Sequence, residues 1–340
     1  MLRSRNYCLL LLLLYVCGCI RKRQVPDVSG IKAPLEVVRS EQDFFRIDTA
    51  HVEVALDQLQ GKYGKFLNDY LYNIVGLPPF PDSVKKALPF FLQSYRSVND
   101  SVQVRFKDLD ACLAPLRLGL KLARYYFPRY HTPEKLITFV GPLDGYGNVL
   151  TSSGLAVGLQ MYMGKDFPPY QSDFLQQIYP AYVSRRFEPA YIPVDCMKNI
   201  IQDMYQGDYR SLPLVEQMVE AGKRLYLLDQ LLPYVADTLK IGYTKDQLDG
   251  CYKKEEAIWN YFTVNNLLYS MDLDQVRDYM NDGPRTAVLG EGSPGNIGTF
   301  LGWQIVKKWM VLHPKTNMLR LMDTPAGQIF KEAKYKPHWM

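Results

Sequence analysis

Histidine is scarce in this sequence. Four occur in 340 residues, His51, His131, His313 and His338, and no two stand four apart. HExxH, CxxC and the Asp-rich calcium loop are all absent, so a zinc or calcium site would have to be assembled from isolated ligands. Each lone His therefore reads as a surface or capping residue. A serine nucleophile fares no better. Thr151-Ser152-Ser153-Gly154 lacks the G-x-S-x-G elbow and reads as turn polarity. Gly290-Glu291-Gly292-Ser293-Pro294-Gly295 lacks a P-loop lysine and the GxGxxG spacing, and reads as a loop opening a helix. No cofactor is implied. Long apolar runs are also missing: the longest, Cys8–Val16, holds six consecutive Leu and falls short of the about 20 residues a spanning helix needs. Excess charge is small. The net +5 becomes +3 once Arg3 and Arg5 are removed with residues 1–18, too weak and dispersed for a nucleic-acid partner.

What is present at the N-terminus is informative. Arg3 and Arg5 precede the apolar run, and Val16-Cys17-Gly18-Cys19 follows it. This has the layout of a secretory signal closed by a bacterial lipobox: aliphatic, small, Gly, then Cys. The Cys19 thiol would carry a diacylglyceryl group through a thioether, and several acyl chains on one residue give stable anchoring. Residues 1–18 are thus read as a signal peptide, 19–33 as a lipidated, basic tether, and 34–340 as one folded domain. Ile20 is not the Asp that often retains lipoproteins in the inner membrane, and no acidic run follows Cys19. The expected location is the outer membrane, on its periplasmic face. Beyond Cys19, the mature chain keeps Cys112, Cys196 and Cys251. Three cannot all pair internally, and their apolar surroundings indicate buried structural thiols.

Along the chain, Val37–Ile47 reads as a strand region and His51–Tyr72 as a helix with an uncertain middle at Gly61 and Gly64. A helical piece follows over about Ser83–Ser97, then a weak strand or connector at Val102–Phe106 and a strong helix over Ala111–Tyr126. Lys135–Gly141 is a buried strand, and residues 141–148 are turn chemistry. The sequence then runs through Val149–Ser152 to an apolar strand over Leu155–Met163, predicting a small mixed or antiparallel sheet. Residues 165–169 break the chain, and helical spacing resumes at Ser172 through Val183. Beyond Pro169 almost everything is helical. Ser211 is a plausible cap for Leu212–Leu232, and Thr244 with Gln247 forms a capping box opening Lys245–Tyr269. Asp272 starts a helix to about Met280, residues 293–296 open Ile297–Leu312, and Thr324-Pro325 starts a last one. Gly298 and Gly302, four apart, would let another backbone approach closely. The fold class is α+β: a small mixed sheet followed by a mostly helical C-terminal half.

Several long strings resemble one family: KDFPPYQSDFLQQIYPAYVSRRFEPAYI, EAGKRLYLLDQLLPYVADTLKIGYTKDQL, EEAIWNYFTVNNLLYS, NDGPRT and SPGNIGTFLGWQIVKKWM. Together they are similar to the gliding-motility lipoprotein GldB family of the Bacteroidota, from about Pro34 to the C-terminus. That family is in turn distantly similar to HExxH zinc peptidases. Glu220-Ala221-Gly222 and Pro294–Val306 match two of their motifs, while Tyr179–Arg186 stands in the place of HExxH. The resemblance implies a zincin-like shell without its metal site, a pseudoenzyme in which Arg185 and Arg186 put positive charge where a cation would sit. It implies a candidate interaction cleft of Tyr179, Tyr182, Arg185, Arg186, Glu220 and Trp303. The expected function is that of a non-catalytic, membrane-anchored envelope lipoprotein. It would support gliding motility or type IX secretion by binding protein partners of that machinery. The alternative is a periplasmic hydrolase with an atypical site.

Overall fold

The computed structural model describes residues 25–337, so Cys19 and the leader lie outside the described residues. Four strands form one sheet: β1 (Glu36–Arg39), β2 (Lys135–Phe139), β3 (Asn148–Thr151) and β4 (Gly154–Gly158). Their spatial order is β1-β2-β4-β3. β1 and β2 run parallel, as do β2 and β4, while β3 is antiparallel to β4. The sheet is mixed, one of the two forms, mixed or antiparallel, that the close succession of strands allowed. β2 and β4 are apolar and buried because they lie between neighbours; β1 and β3 are the half-exposed edges. Ser152 and Ser153 make the β3–β4 turn, which ends at Gly154 with φ 137. A Cβ on Gly154 would lie 2.5 Å from the Lys135 carbonyl oxygen, so no other residue fits there.

Several local expectations are corrected, among them the strand expected over Leu155–Met163, which ends at Gly158 and gives way to a short 3-10 turn over Leu159–Met161. The strand foreseen over Val37–Ile47 ends at Arg39, and Ser40–Phe44 is helical. Phe44 and Phe45 are both buried, which consecutive residues on an edge strand cannot both be, because their side chains point to opposite faces. The turn also buries Glu41, whose carboxylate accepts from Arg39 Nε (2.5 Å) and Thr138 Oγ1 (2.6 Å). Val102–Phe106 is no strand: it closes the helix Arg96–Arg105, where Val98 and Val102, four apart, are buried and Val104 is exposed. The helix expected from Ser172 through Val183 is two short ones, Asp173–Ile178 and Ala181–Ser184. Pro180 cannot donate a backbone bond and pushes Tyr179 out of the helical region, to φ −123, ψ 79. Phe174 and Ile178, part of that apparent helical spacing, are exposed.

The C-terminal half is built on two crossing helices, Leu214–Leu231 and Ile297–Leu312. The first is capped by Pro213 rather than Ser211. Its leading amides, Leu214 and Val215, donate to the carbonyls of Ser270 (2.9 Å) and Leu268 (2.8 Å), so the 268–270 loop satisfies groups a side chain would otherwise have to reach. Of the two glycines, Gly302 admits the close helix approach expected of the pair, while Gly298 packs first on the Met280 side chain. Gly302 lies on the backbone of Met218, and Gly222 lies on Gly302. The Thr244–Gln247 capping box is present, although its helix stops at Lys253 and another runs Glu255–Val264.

Candidate functional site

The residues singled out in sequence do not form one cleft. Tyr179 is half-buried, stacks edge-on against Phe187 at 5.2 Å and donates to the Gly145 carbonyl at 3.4 Å. Arg185 donates to the Gly242 carbonyl (3.0 Å) and to Gln247 Oε1 (3.2 Å). Arg186 pairs with Asp282. Both guanidiniums therefore tie the 181–186 turn to neighbouring loops. Tyr182 is half-buried and lines none of the cavities described below. Glu220 is far from open: Lys223 (2.6 Å) and Arg224 (3.2 Å) neutralise it, so those two, not Arg185 and Arg186, place cations beside it. Trp303 is fully buried, its Nε1 donating to Asp229 Oδ2 at 2.9 Å while Lys307 Nζ sits 3.3 Å from its ring centroid. It is core, not cleft.

The wall of the cleft is instead the helix Ile192–Met204, which the sequence reading left within a generally helical half. Ile192, Val194, Cys196, Met197, Ile200 and Ile201 are buried, leaving Asp195, Lys198, Asn199, Gln202 and Asp203 along the outer side. Asp195 and Lys198 look into a cleft of about 410 Å3 shared with Tyr146, Tyr162, Tyr179 and Phe187. Asp195 is half-buried and Lys198 is exposed to solvent. Burial pushes the Asp195 carboxyl above its ordinary range, against the opposing pull of Lys198 and of the Tyr162 hydroxyl, which donates to it at 3.0 Å. Partial desolvation by the surrounding protein lowers the Lys198 ammonium, Arg186 adds to that, and Asp195 and Asp282 oppose it, while the exposure of the side chain keeps the effect modest.

On the other side of the same helix lies a larger groove of about 810 Å3, floored by edge strand β3. Asn199, Gln202, Asp203 and Gln206 face β3 across it, and Tyr130, His131 and Glu134 close one end. Asn199 Nδ2 donates to Asn148 Oδ1 (2.7 Å), fixing helix to strand, and Tyr130 donates to Asp203 (2.8 Å). Glu134 and Asp203 line the groove, and among the described residues no Lys or Arg does. Among the described residues β3 has no strand on its outer side, and it carries neither a charge nor a proline, the usual guards of an exposed edge. Ser152-Ser153, read in the sequence as turn polarity, is the hairpin turn at the groove's rim.

Cys196 and Cys251 are buried, with burial pushing both thiols up to about 12, so they stay protonated at neutral pH. Cys112 is only half-buried. Among the described residues no three His, Cys, Asp or Glu side chains converge as metal ligands, and no helix is long and apolar enough to cross a membrane. The Glu220-Ala221-Gly222 and Pro294–Val306 motifs meet in space, but through Gly222 packing on Gly302. In sequence, only the i, i+4 apolar run from Pro193 to Met204 signalled the helix that carries the site. A family model described as "Gliding motility protein GldB" matches residues 21–337. No curated protein and no solved structure matches the chain.

Proposed function

The chain belongs to the gliding motility protein GldB family, and from that premise we propose that it is a non-catalytic envelope lipoprotein that holds a protein partner. Its anchor would be the acylated Cys19 and its place the periplasmic face of the outer membrane, serving the gliding and type IX secretion machinery. The observation that carries this reading is the groove beside β3. An unpaired strand edge offers backbone donors and acceptors to an incoming strand, and flanking pockets select its side chains. Here the opposite wall is amide-rich and carries the Asp203 carboxylate, and the other charged group among the described lining residues is Glu134 at the groove's end, which also pairs with Arg124 (3.4 Å). The fitting occupant is an extended segment of the partner whose side chains are neutral or basic.

A photo-crosslinking residue placed at Gln202 is expected to capture one envelope protein in cells, whereas the same residue at the exposed Glu256 is not. Leu150→Pro, which breaks the edge, should abolish the Gln202 crosslink while leaving the protein in the membrane fraction. Equal capture from both positions, or capture undiminished by Leu150→Pro, refutes the groove as the docking site. The anchor is tested separately. Cys19→Ala is expected to move the protein from the membrane pellet to the soluble periplasmic fraction, and a variant that stayed in the pellet would refute lipid attachment there.

A further inference from the structure

The cleft beside Asp195 has a chemistry that the β3 groove lacks. Tyr146, Tyr162, Tyr179 and Phe187 wall it, and one carboxylate stands among them. Tyr179 and Phe187 meet with their ring planes 78° apart, and the Tyr179 hydroxyl is tied to the Gly145 carbonyl, so their corner is fixed. Aromatic faces carry negative potential, so such a wall favours a cation.

The carboxylate is only half used. Asp195 Oδ2 accepts from the Tyr162 hydroxyl at 3.0 Å. Among the described residues Oδ1 takes no hydrogen bond, and it is not sealed in by protein, which leaves it open to the cleft. Two cations act on it through space, and neither holds it. Lys198, one turn along the helix, is exposed and makes no ion pair with it among the described residues, and Arg186 is committed to Asp282. Burial disfavours the charged form of Asp195, so a cation entering the cleft stabilises a carboxylate that solvent reaches poorly.

A metal is the wrong cation, because among the described residues no three metal-ligating side chains converge here. The fitting group has N–H donors for Oδ1 and an apolar stem for the rings, which describes an ammonium or guanidinium side chain. At about 410 Å3 the cleft lies near the low end of the roughly 300–1,000 Å3 of small-ligand sites, enough for one long side chain. Its position names the source. Cleft and groove share Tyr146, Asn148 and Asn199, at the end of β3 where the Asn148–Asn199 hydrogen bond ties strand to helix. A chain lying along β3 therefore passes the mouth of the cleft.

On the reading of the β3 groove as the docking site, we infer that the cleft receives one lysine or arginine side chain of the docked segment. Asp195 holds its cation, and Tyr146, Tyr179 and Phe187 flank its stem. The partner must then carry a basic residue at that point of the segment.

The test uses the detergent-solubilised full chain and three probes: Nα-acetyl-lysine methylamide, its arginine counterpart and the uncharged norleucine analogue. They are titrated at constant ionic strength by ligand-observed NMR. At least one basic probe is expected to bind saturably, and the norleucine analogue about tenfold more weakly, the loss of a charge-assisted contact. Asp195→Asn keeps an acceptor for Tyr162 but removes the charge, and should weaken the basic probe by about tenfold. Tyr146→Ala, at an exposed position, should weaken it by about threefold. Lys198→Gln should instead tighten it by about twofold, because a like charge leaves the rim. A variant that had merely lost structure would not gain affinity. Leu150→Pro should leave probe binding unchanged, since Leu150 lines the groove and not the cleft. In cells, Asp195→Asn should also reduce the Gln202 crosslink.

Failure of both basic probes to bind overturns the inference, and an intact Gln202 crosslink would then leave the groove standing as the docking site. Equal affinity for norleucine, or unchanged affinity in an Asp195→Asn protein with wild-type circular dichroism, overturns it as well. Loss of probe binding in Leu150→Pro would move the cation into the groove and do the same. Basic-probe binding by a protein whose Gln202 captures nothing would refute the partner as the source of the side chain.

Discussion

Asp229→Ala is expected to lower the unfolding free energy by about 3–5 kcal/mol, the range for breaking a buried ion pair from one side. The Asp229 carboxylate is buried and accepts from Lys240 Nζ at 2.5 Å and from Trp303 Nε1 at 2.9 Å. Truncation would leave the Trp303 indole N–H unpartnered in the core, at about 1–3 kcal/mol. It would leave Lys240 with only the half-exposed Asp237, whose contribution is reduced by solvent. A methylene-sized void adds to both. Asp229→Asn separates the causes. It keeps an acceptor for Trp303 and removes the charge, so it should cost clearly less than alanine. Asp229→Leu with Lys240→Met should recover much of the loss, because two apolar groups leave no orphaned charge. Chemical denaturation with an unchanged denaturant slope is the measurement. An alanine variant within about 1 kcal/mol of wild type would contradict the reading.

Asp229 also shows where sequence reading stops. Within EAGKRLYLLDQLL it sits on an apolar helix face with nothing to distinguish it from a solvated carboxylate, and its partners stand 11 and 74 residues away. Local signals were legible because their physics is local. The Ala111–Tyr126 period, the Lys135–Gly141 apolar run, the Thr244 capping box and the Asp272 cap each depend on residues a few positions apart, and all four are found. Elements failed where tertiary contacts decided. Val102 looked strand-like by composition, yet burial four residues from Val98 makes it helical. The site failed for a further reason. Asp195, Lys198, Asn199 and Gln202 have the spacing of an ordinary solvated helix face, and only the placement of β3 on one side and of Tyr162 and Tyr179 on the other turns that face into cleft walls. Trp303 failed in reverse: the family strings marked its helix as a cleft segment, but its indole is committed to the core.

Gly302→Ala is expected to be the most damaging single-methyl change in the protein. By helix propensity alone, alanine in place of glycine inside Ile297–Leu312 should stabilise by about 1 kcal/mol. The contact reverses the sign. A Cβ at this position would lie 1.6 Å from the Met218 carbonyl oxygen and 2.3 Å from its carbon, and the facing Gly222 allows no more room, since a Cβ there would lie 2.2 Å from the Gly302 carbon. These are backbone atoms in the middle of Leu214–Leu231, which cannot swing aside as a side-chain end could. The two helices must separate along their length, opening the packing of Met218, Val219 and Phe300. Ordinary overpacking costs about 1–3 kcal/mol; a clash with main chain belongs at or above the top of that range, which is a large share of a domain's about 5–15 kcal/mol. Gly250→Ala is the control. It sits in the helix Lys245–Lys253 with nothing within 4 Å of a new Cβ, so the same substitution there should be neutral or stabilising. Opposite signs at the two sites in thermal denaturation would confirm that close approach, not chain flexibility, explains the glycine at position 302. A Gly302→Ala protein as stable as wild type would show that the helices do not cross where these residues place them.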